Sequence, residues 1–368
     1  MRVRVPDQTL LFVVLTLLGV GIVMVFSASS VESLATYNTP YYFLIRQMIW
    51  AALGVGAMIF LMNLDYHRIR PLARPLAYVT AGLLVIVLVP HIGKEIGGAR
   101  RWIGVGSLVI QPSELAKLAL VLLFADILAT PGFRVQSFTK GVLPLLGMMV
   151  LAGLLIIQEP DLGTALAIAG SGLVLMWVGG AETIQMLGIA LLAAPVVIGA
   201  IVVEPYRLNR LLAFLNPQKD PLGSGYHIIQ SLYALGSGGL FGSGLGRSSL
   251  KYFYLPEQHT DFIFAILGEE LGFIGAVIVI VLFFILGWRG IRAAVLAPDR
   301  FGALLAAGIV TMILLQAFLN IAVVTASMPI TGVPLPFISY GGSSLVFTLS
   351  GIGVLLNISR QARAEGSR

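Results

Sequence analysis

The chain has no cysteine among its 368 residues, which removes disulfides, thiolate zinc sites, iron–sulfur clusters and cysteine nucleophiles together. Charge is scarce as well. Asp, Glu, Lys and Arg make up 11% of the sequence, where a soluble domain carries roughly 25%. With 58% hydrophobic residues, such a chain has too little polar surface to cover a water-soluble core, so its apolar segments must face lipid. The four histidines, His67, His91, His227 and His259, are scattered and show no ligand spacing such as H-E-x-x-H. There is no repeat, no low-complexity tract and no separate soluble domain, and the inner loops are too short to hold an ATPase or kinase module. The net charge of +6 would suggest nucleic acid in a soluble protein, but the basic residues form no nucleic-acid-binding run and must first be assigned to membrane sides.

What is present is a series of apolar stretches, at 9–28, 41–62, 72–91, 113–130, 141–157, 162–178, 184–203, 261–287, 302–326 and 340–358. Each approaches the roughly 20 residues needed to cross a bilayer. The expected fold is therefore an all-α integral membrane protein of about ten spans, read as a single polytopic domain over 1–368. The N-terminus resembles a signal peptide, with Arg2 and Arg4 before an apolar run. Because Thr9 to Ala28 is long enough to span, it is expected to remain as an uncleaved first helix.

Ten spans put both termini on one side. Placing them in the cytoplasm puts thirteen Lys and Arg residues in the inner segments and eight in the outer ones, with Arg46 and Lys117 inside spans, 23 in all. The positive-inside rule favours this orientation. The three short outer loops, 29–40, 158–161 and 327–339, contain no Lys or Arg. Every outer basic residue therefore sits in two long loops, where either an anionic ligand or lipid head groups are the expected partners. The longer loop, 204–260, begins with a polar, turn-rich stretch from Pro205 to Pro221. It continues through Gly225 to Gly236 with Ile228, Leu232 and Leu235 at the spacing of a short amphipathic helix. The glycines from Gly236 to Gly246 lack a Walker lysine and suit tight backbone packing or mobility around a ligand.

Ionisable residues inside spans cost roughly 2.5–3.5 kcal/mol each at the bilayer centre, so each is a candidate for function. Five stand out: Glu114, Lys117, Asp126, Glu269 and Glu270. Glu114 and Lys117, three apart, share a helical face and form either a structural ion pair or part of a polar cavity. Asp126 reads as interfacial. Glu269 and Glu270 lie about 12 Å along a helix from Asp261 and leave several pairings open, Lys117 among them. Asp261 itself starts a span after Leu255-Pro-Glu-Gln-His-Thr260. It is either a helix N-cap or a general base held ionised by the helix end and nearby basic loops. The segment 327–344, with three prolines and three glycines, cannot be regular helix and is expected to wall the same site.

Several stretches together resemble one family. These are Gly98-Ala-Arg-Arg-Trp-Ile103, Gln111-Pro-Ser-Glu-Leu-Ala-Lys117, Gln158-Glu-Pro-Asp-Leu-Gly163, Asp220-Pro-Leu-Gly-Ser-Gly-Tyr226, the run from Tyr254 to Gly272, and Pro334-Leu-Pro-Phe-Ile-Ser-Tyr-Gly-Gly-Ser-Ser344. They are similar to the SEDS family (shape, elongation, division and sporulation) over essentially the whole chain. Met1 to Asp7, Val25 to Ala28 and Leu245 to Leu255 look more like its FtsW and SpoVE branch than RodA.

The resemblance implies ten spans and a peptidoglycan glycosyltransferase of the bacterial plasma membrane that polymerises lipid II on its extracellular face. It also implies a class B penicillin-binding protein as crosslinking partner, and no nucleic acid. Asp261 matches the family's essential aspartate, and Glu114 and Lys117 match polar residues of its central cavity. On this reading Asp261 takes the proton from the acceptor's GlcNAc 4-hydroxyl, and the oxygen displaces undecaprenyl pyrophosphate from the donor with inversion. Arg101, Arg210 and Lys251 are expected to neutralise the pyrophosphate, with Glu257 and His259 as further substrate-binding candidates. A divalent cation, Mg or Mn, is compatible with that chemistry, although no carboxylate cluster beyond Glu257 accompanies Asp261. Two competing readings are a lipid II flippase, whose path the intramembrane charges would line, and a non-catalytic scaffold for the transpeptidase.

Overall fold

The architecture follows from apolar runs that satisfy their backbone polar groups internally as helices. A computed structural model describes residues 5–96, 98–105, 108–252 and 254–362; Arg2, Arg4, Arg363 and Arg368 lie outside the described residues. In chain order the helices are α1 (Gln8–Tyr37), α2 (Tyr42–Asn63), α3 (Ala73–Leu88), α4 (Pro112–Ala129), α5 (Leu143–Gln158), α6 (Leu162–Val178), α7 (Thr183–Val202), α8 (Pro205–Leu215), α9 (Tyr226–Ser237), α10 (Ile263–Val295), α11 (Arg300–Val324) and α12 (Gly342–Gln361). Eight of them lie in segments long and apolar enough to cross a membrane. The other two expected spans are the 17-residue apolar α6 and the 18-residue α4, which carries Glu114, Lys117 and Asp126.

Among the eight segments α11 and α12 are the most enclosed and α7 is the least. Small residues let the backbones approach, as expected where helices pack in lipid. A Cβ on Gly353 would meet the Met58 carbonyl at 2.5 Å, and one on Gly54 would meet Leu349 at 2.6 Å, so α12 lies directly against α2. Leu345, Leu349, Ile352, Leu355 and Leu356 of α12 join Leu304, Ile309 and Ile313 of α11 in the buried centre.

Four features depart from the sequence expectation. First, α1 does not end near Ala28 but runs to Tyr37, where Asn38 caps it in the left-handed conformation. Most of the expected 29–40 loop is therefore helix. Second, the basic loop after α3 folds into a three-stranded antiparallel sheet, β1 (Lys94–Ile96), β2 (Ala99–Val105) and β3 (Leu108–Ile110). Third, the supposedly turn-rich 205–215 stretch is helix α8, opened by Pro205 in its first turn, a position whose missing N–H is no loss. The expected amphipathic helix is found as α9.

Fourth, α10 is kinked. Gly272 has φ 71° and ψ −172° inside it, which frees neighbouring backbone groups. The glycine-rich stretch after α9 takes them up. Ser243 and Gly244 donate to the Glu269 and Glu270 carbonyls at 2.9 and 3.0 Å, while Phe273 and Ile274 donate to Gly239 and Leu240 at 2.9 and 3.2 Å. These glycines serve close backbone packing, since a Cβ on Gly238 would run into the Gly268 carbonyl and one on Gly242 into the Glu270 carbonyl.

Candidate active site

The site lies at one end of the bundle, where the turn before α10 meets the irregular segment before α12. Both segments are rich in residues that cannot continue a helix, and their backbone groups satisfy one another. Phe262 donates to the Glu257 carbonyl at 3.1 Å and Tyr340 to the His259 carbonyl at 2.9 Å. The Ser339 hydroxyl donates to the Thr260 carbonyl at 2.6 Å and accepts from the Leu335 N–H at 2.8 Å. From α11, Asn320 Nδ2 donates to the Asp261 and Val333 carbonyls, each at 2.8 Å. The backbone of Asp261 is thus fixed from two sides.

Its side chain is not a helix cap. Ile263 begins α10, Phe262 stands at the cap position, and no side-chain capping bond is made there. The carboxylate instead faces the loop over it, where a Cβ on Gly332 would lie 3.6 Å from Oδ2. Asp261 keeps partial solvent access. Burial is the main cause that pushes its pKa up to about 7; the charges of Glu257 and Asp161 add to the rise, and Arg210 and Arg101 oppose it. A carboxyl so tuned is about half ionised near neutrality, the condition in which a general base is most effective.

Three further elements converge on this point. From α8, Arg210 stacks its guanidinium 4.3 Å from the centre of the Tyr206 ring and donates to the Ile330 carbonyl at 3.2 Å. Burial pulls its pKa below the ordinary value, with the Asp261 charge among the influences that oppose this, and a guanidinium so shifted still stays charged. From β2, Arg101 donates to the carbonyls of Glu159 and Pro160, at 2.7 Å to the former, and stands 3.7 Å from Asp161. Asp161 caps α6 by accepting from the Thr164 N–H and hydroxyl at 3.0 and 2.9 Å, and from Gln111 at 3.2 Å. Gly163 then lets α6 lie against the 331–333 backbone, with a prospective Cβ only 2.6 Å from the Thr331 carbonyl.

Behind the site, Glu114 and Lys117 form a buried pair at 2.8 Å, and Lys117 also donates to Gln316 Oε1 at 2.6 Å. Gln316 passes the connection on by donating to the Pro334 carbonyl at 3.0 Å. Lys117 therefore reaches the same loop that covers Asp261, through one amide.

The remaining sequence candidates separate. Glu257 is exposed and accepts from the Thr260 hydroxyl at 2.8 Å. His259 is buried against Phe43 and Tyr340, with Nδ1 3.4 Å from Glu32. Lys251 is buried in a different cluster, donating to the Gly246 carbonyl and standing 3.4 Å from Glu270. Glu270 also accepts from Ser27, and Glu269 from Ser248 and Ser249. The two carboxylates therefore anchor the 243–251 stretch rather than pairing with Lys117. Asp126 lies at the other end of α4, 2.7 Å from Arg70.

Gln316 and Asn320 were not singled out from sequence, and Ser339, Asp161 and Glu159 entered only within stretches that resemble the family. An amide or hydroxyl inside an apolar helix carries no charge to mark it. Only the facing of Gln316 and Asn320, four apart on α11, could have drawn attention to them. Among the described residues no group of three His, Asp or Glu side chains is placed to hold a metal ion, so no step is assigned to one.

Fold and site define a multi-pass membrane protein with a carboxylate and two arginines gathered at one end of the helix bundle. The chain belongs to the FtsW, RodA and SpoVE family, described as "Cell cycle protein", which matches residues 8–364. It is 48% identical over 358 residues to stage V sporulation protein E of Bacillus subtilis, covering 97% of this chain and 98% of the relative. It is 46% identical over 360 residues to the probable peptidoglycan glycosyltransferase FtsW of Trichlorobacter lovleyi, covering 97% and 94%. Among solved structures it resembles a chain of a peptidoglycan synthase complex that coordinates polymerization and crosslinking, with TM-score 0.79, 33% identity and coverage of 96% and 98%. It also resembles the rod shape determining protein RodA of Thermus thermophilus, with TM-score 0.71, 30% identity and 98% coverage of both chains. These relatives are bacterial, as a multi-pass membrane protein of this family is expected to be.

Proposed function

We propose that this chain is a peptidoglycan glycosyltransferase in which Asp261 is the general base. The observation that carries the reading is the Asp261 carboxyl, recessed but solvent-accessible, with its pKa near 7 and the Arg210 and Arg101 charges acting on it. Inverting glycosyl transfer requires one base to deprotonate the acceptor hydroxyl and cations to receive the leaving diphosphate. A guanidinium has five N–H groups in a fork that suits phosphate oxygens. Arg101 and Arg210 use some of these on backbone carbonyls, which orients them and leaves others for a ligand. The substrate is a lipid-linked disaccharide, lipid II, whose prenyl tail stays in the bilayer while its sugars meet Asp261. The names of the relatives support this activity, and the 48% identity to a sporulation protein supports a role in division or sporulation walls over elongation.

The orientation belongs to the same proposal. Both termini are cytoplasmic and Asp261 faces outward, as the excess of basic residues at the opposite end favours. A class B penicillin-binding protein is the proposed crosslinking partner, by likeness to the synthase complex. Glu114 and Lys117 act from behind the site through Gln316. Incubating the purified protein with fluorescent lipid II, with and without a transpeptidase-dead partner, tests the reading. Glycan polymer is expected, and Asp261→Ala should form none. Translocation of lipid II without polymer would favour the flippase, and no activity even with the partner would favour a scaffold.

A further inference from the structure

Glu159 ends α5, its N–H bonded to the Ile156 carbonyl at 3.0 Å. Its side chain is 0% exposed, and among the described residues neither carboxylate oxygen has a hydrogen-bond partner. Few places are less suited to a negative charge. The carboxyl sits at the negative pole of a helix, away from water, with the Asp161 carboxylate two residues on.

The nearby cations compensate it only in part. Arg101 directs two of its N–H groups to the Glu159 and Pro160 carbonyls and stands 3.7 Å from Asp161, so none of these contacts goes to the Glu159 carboxylate. Arg207 of α8 donates to the Ala200 and Ile157 carbonyls at 3.0 Å each, and Arg210 donates to Ile330. Asp161 and Arg101 are the charged groups acting on Glu159, while Arg210 acts on Arg101 and Asp161 in turn. Burial above all, and then Asp161, push the Glu159 pKa up to about 8, with Arg101 opposing.

We propose that Glu159 is a positioning residue that works as an uncharged carboxylic acid, and that its ionisation dismantles the Arg101–Asp161 pair beside Asp261. The proposal rests on the glycosyltransferase reading of that site. A second anion at the α5–α6 turn would compete with Asp161 for Arg101 and repel the Asp161 carboxylate. Asp161 holds the first turn of α6 through Thr164, and Gly163 lies against Thr331 and Val333. Displacing Asp161 therefore shifts both an arginine and the loop that covers the base. A neutral Glu159 leaves all of these contacts intact.

The test is the pH dependence of polymerisation by the full-length protein and by Glu159→Gln, together with infrared difference spectra of both between neutral and alkaline pH. Glu159→Gln should polymerise within about threefold of the wild type at neutral pH. The wild-type rate should fall above about pH 8, and in the variant that fall should move up by at least about one unit, a tenfold change in proton activity. The wild-type spectrum should lose the carbonyl band of a protonated carboxylic acid on going alkaline, and the variant should lack that component.

A variant that fails to fold, or that loses more than about tenfold at neutral pH, overturns the proposal, because a neutral isostere is what the site is held to require. The same alkaline fall in both proteins also overturns it. The infrared band needs no turnover. If neither protein polymerises but the band behaves as described, the glycosyltransferase reading fails and neutral Glu159 stands; if the band is missing, the proposal on Glu159 fails by itself.

Discussion

The side-chain amide of Asn320 donates to the backbone carbonyl of Asp261 at 2.8 Å. The same nitrogen also serves Val333, so one residue of α11 holds both the proposed base and the loop above it. An enzyme gains from such support because a base must keep its position through the proton transfer.

Asn320→Ala should be harmful twice over. It leaves two recessed carbonyls without their donor, at about 1–3 kcal/mol for each that finds no water, and it loosens the base. Polymerisation is expected to fall by about 10- to 100-fold with a lowered thermal midpoint. An unchanged rate in a steady-state lipid II assay would remove Asn320 from the account.

Asp261→Asn should lose about a hundredfold or more of the polymerisation rate, the range removed with a general base, while the protein stays folded. The wild-type rate should rise with pH through about 7, where the carboxyl ionises. Stability runs the other way. The folded chain holds the Asp261 proton up to about 7, whereas the unfolded chain releases it near the ordinary 3.8, so between these values folding takes up a proton and stability declines as pH rises. At pH above that window the thermal midpoint of Asp261→Asn should equal or exceed the wild type's; a clear drop would contradict the cause assigned to the shift.

Lys117→Met strands the buried Glu114 carboxylate, and breaking a buried pair in this way costs about 3–5 kcal/mol. The double substitution with Glu114→Gln should recover much of that loss. Chemical denaturation in detergent of the two singles and the double checks it, and strictly additive effects would mean that the 2.8 Å contact contributes no coupling.

Gly163→Ala should act on catalysis from outside the site. The added methyl has no room against Thr331 and Val333 and must push the loop that covers Asp261. About a tenfold loss of rate is expected, in the range that a misplacement of about 1 Å produces. Gly153→Ala on α5 is the control, since nothing lies within 4 Å of its prospective Cβ; equal effects of the two substitutions would remove the loop from the argument.

Much of this was legible along the chain. The ten apolar stretches recur as ten helices, and the pattern Ile228, Leu232, Leu235 marked α9. The proximity of Glu114 to Lys117 followed from helical spacing alone. Three things were not legible. Helix α8 was obscured because Pro205, Asn209 and two arginines read as a loop, although Pro205 occupies the one turn that tolerates it. The small sheet at 94–110 has strands of 3, 7 and 3 residues, too short for alternation to register. Lys251 looked like a loop cation available to a diphosphate and is instead buried beside Glu270, because the kink at Gly272 draws the glycine-rich stretch down onto α10.

The sequence by itself determined that this chain lives in a membrane, how many apolar helices it makes and which carboxylate stands at the entrance to α10. These depend on composition and on spacing within one segment. Only the tertiary structure decided what surrounds that carboxylate: Arg101 from β2, Arg210 from α8, Asp161 from α6, Asn320 from α11 and Gly332 from the loop before α12. Residues 101, 161, 210, 320 and 332 are brought together by helix packing across long separations. The pKa of Asp261 and the unpaired state of Glu159 follow from that packing, because burial and neighbouring charge are properties of a place and not of a sequence position.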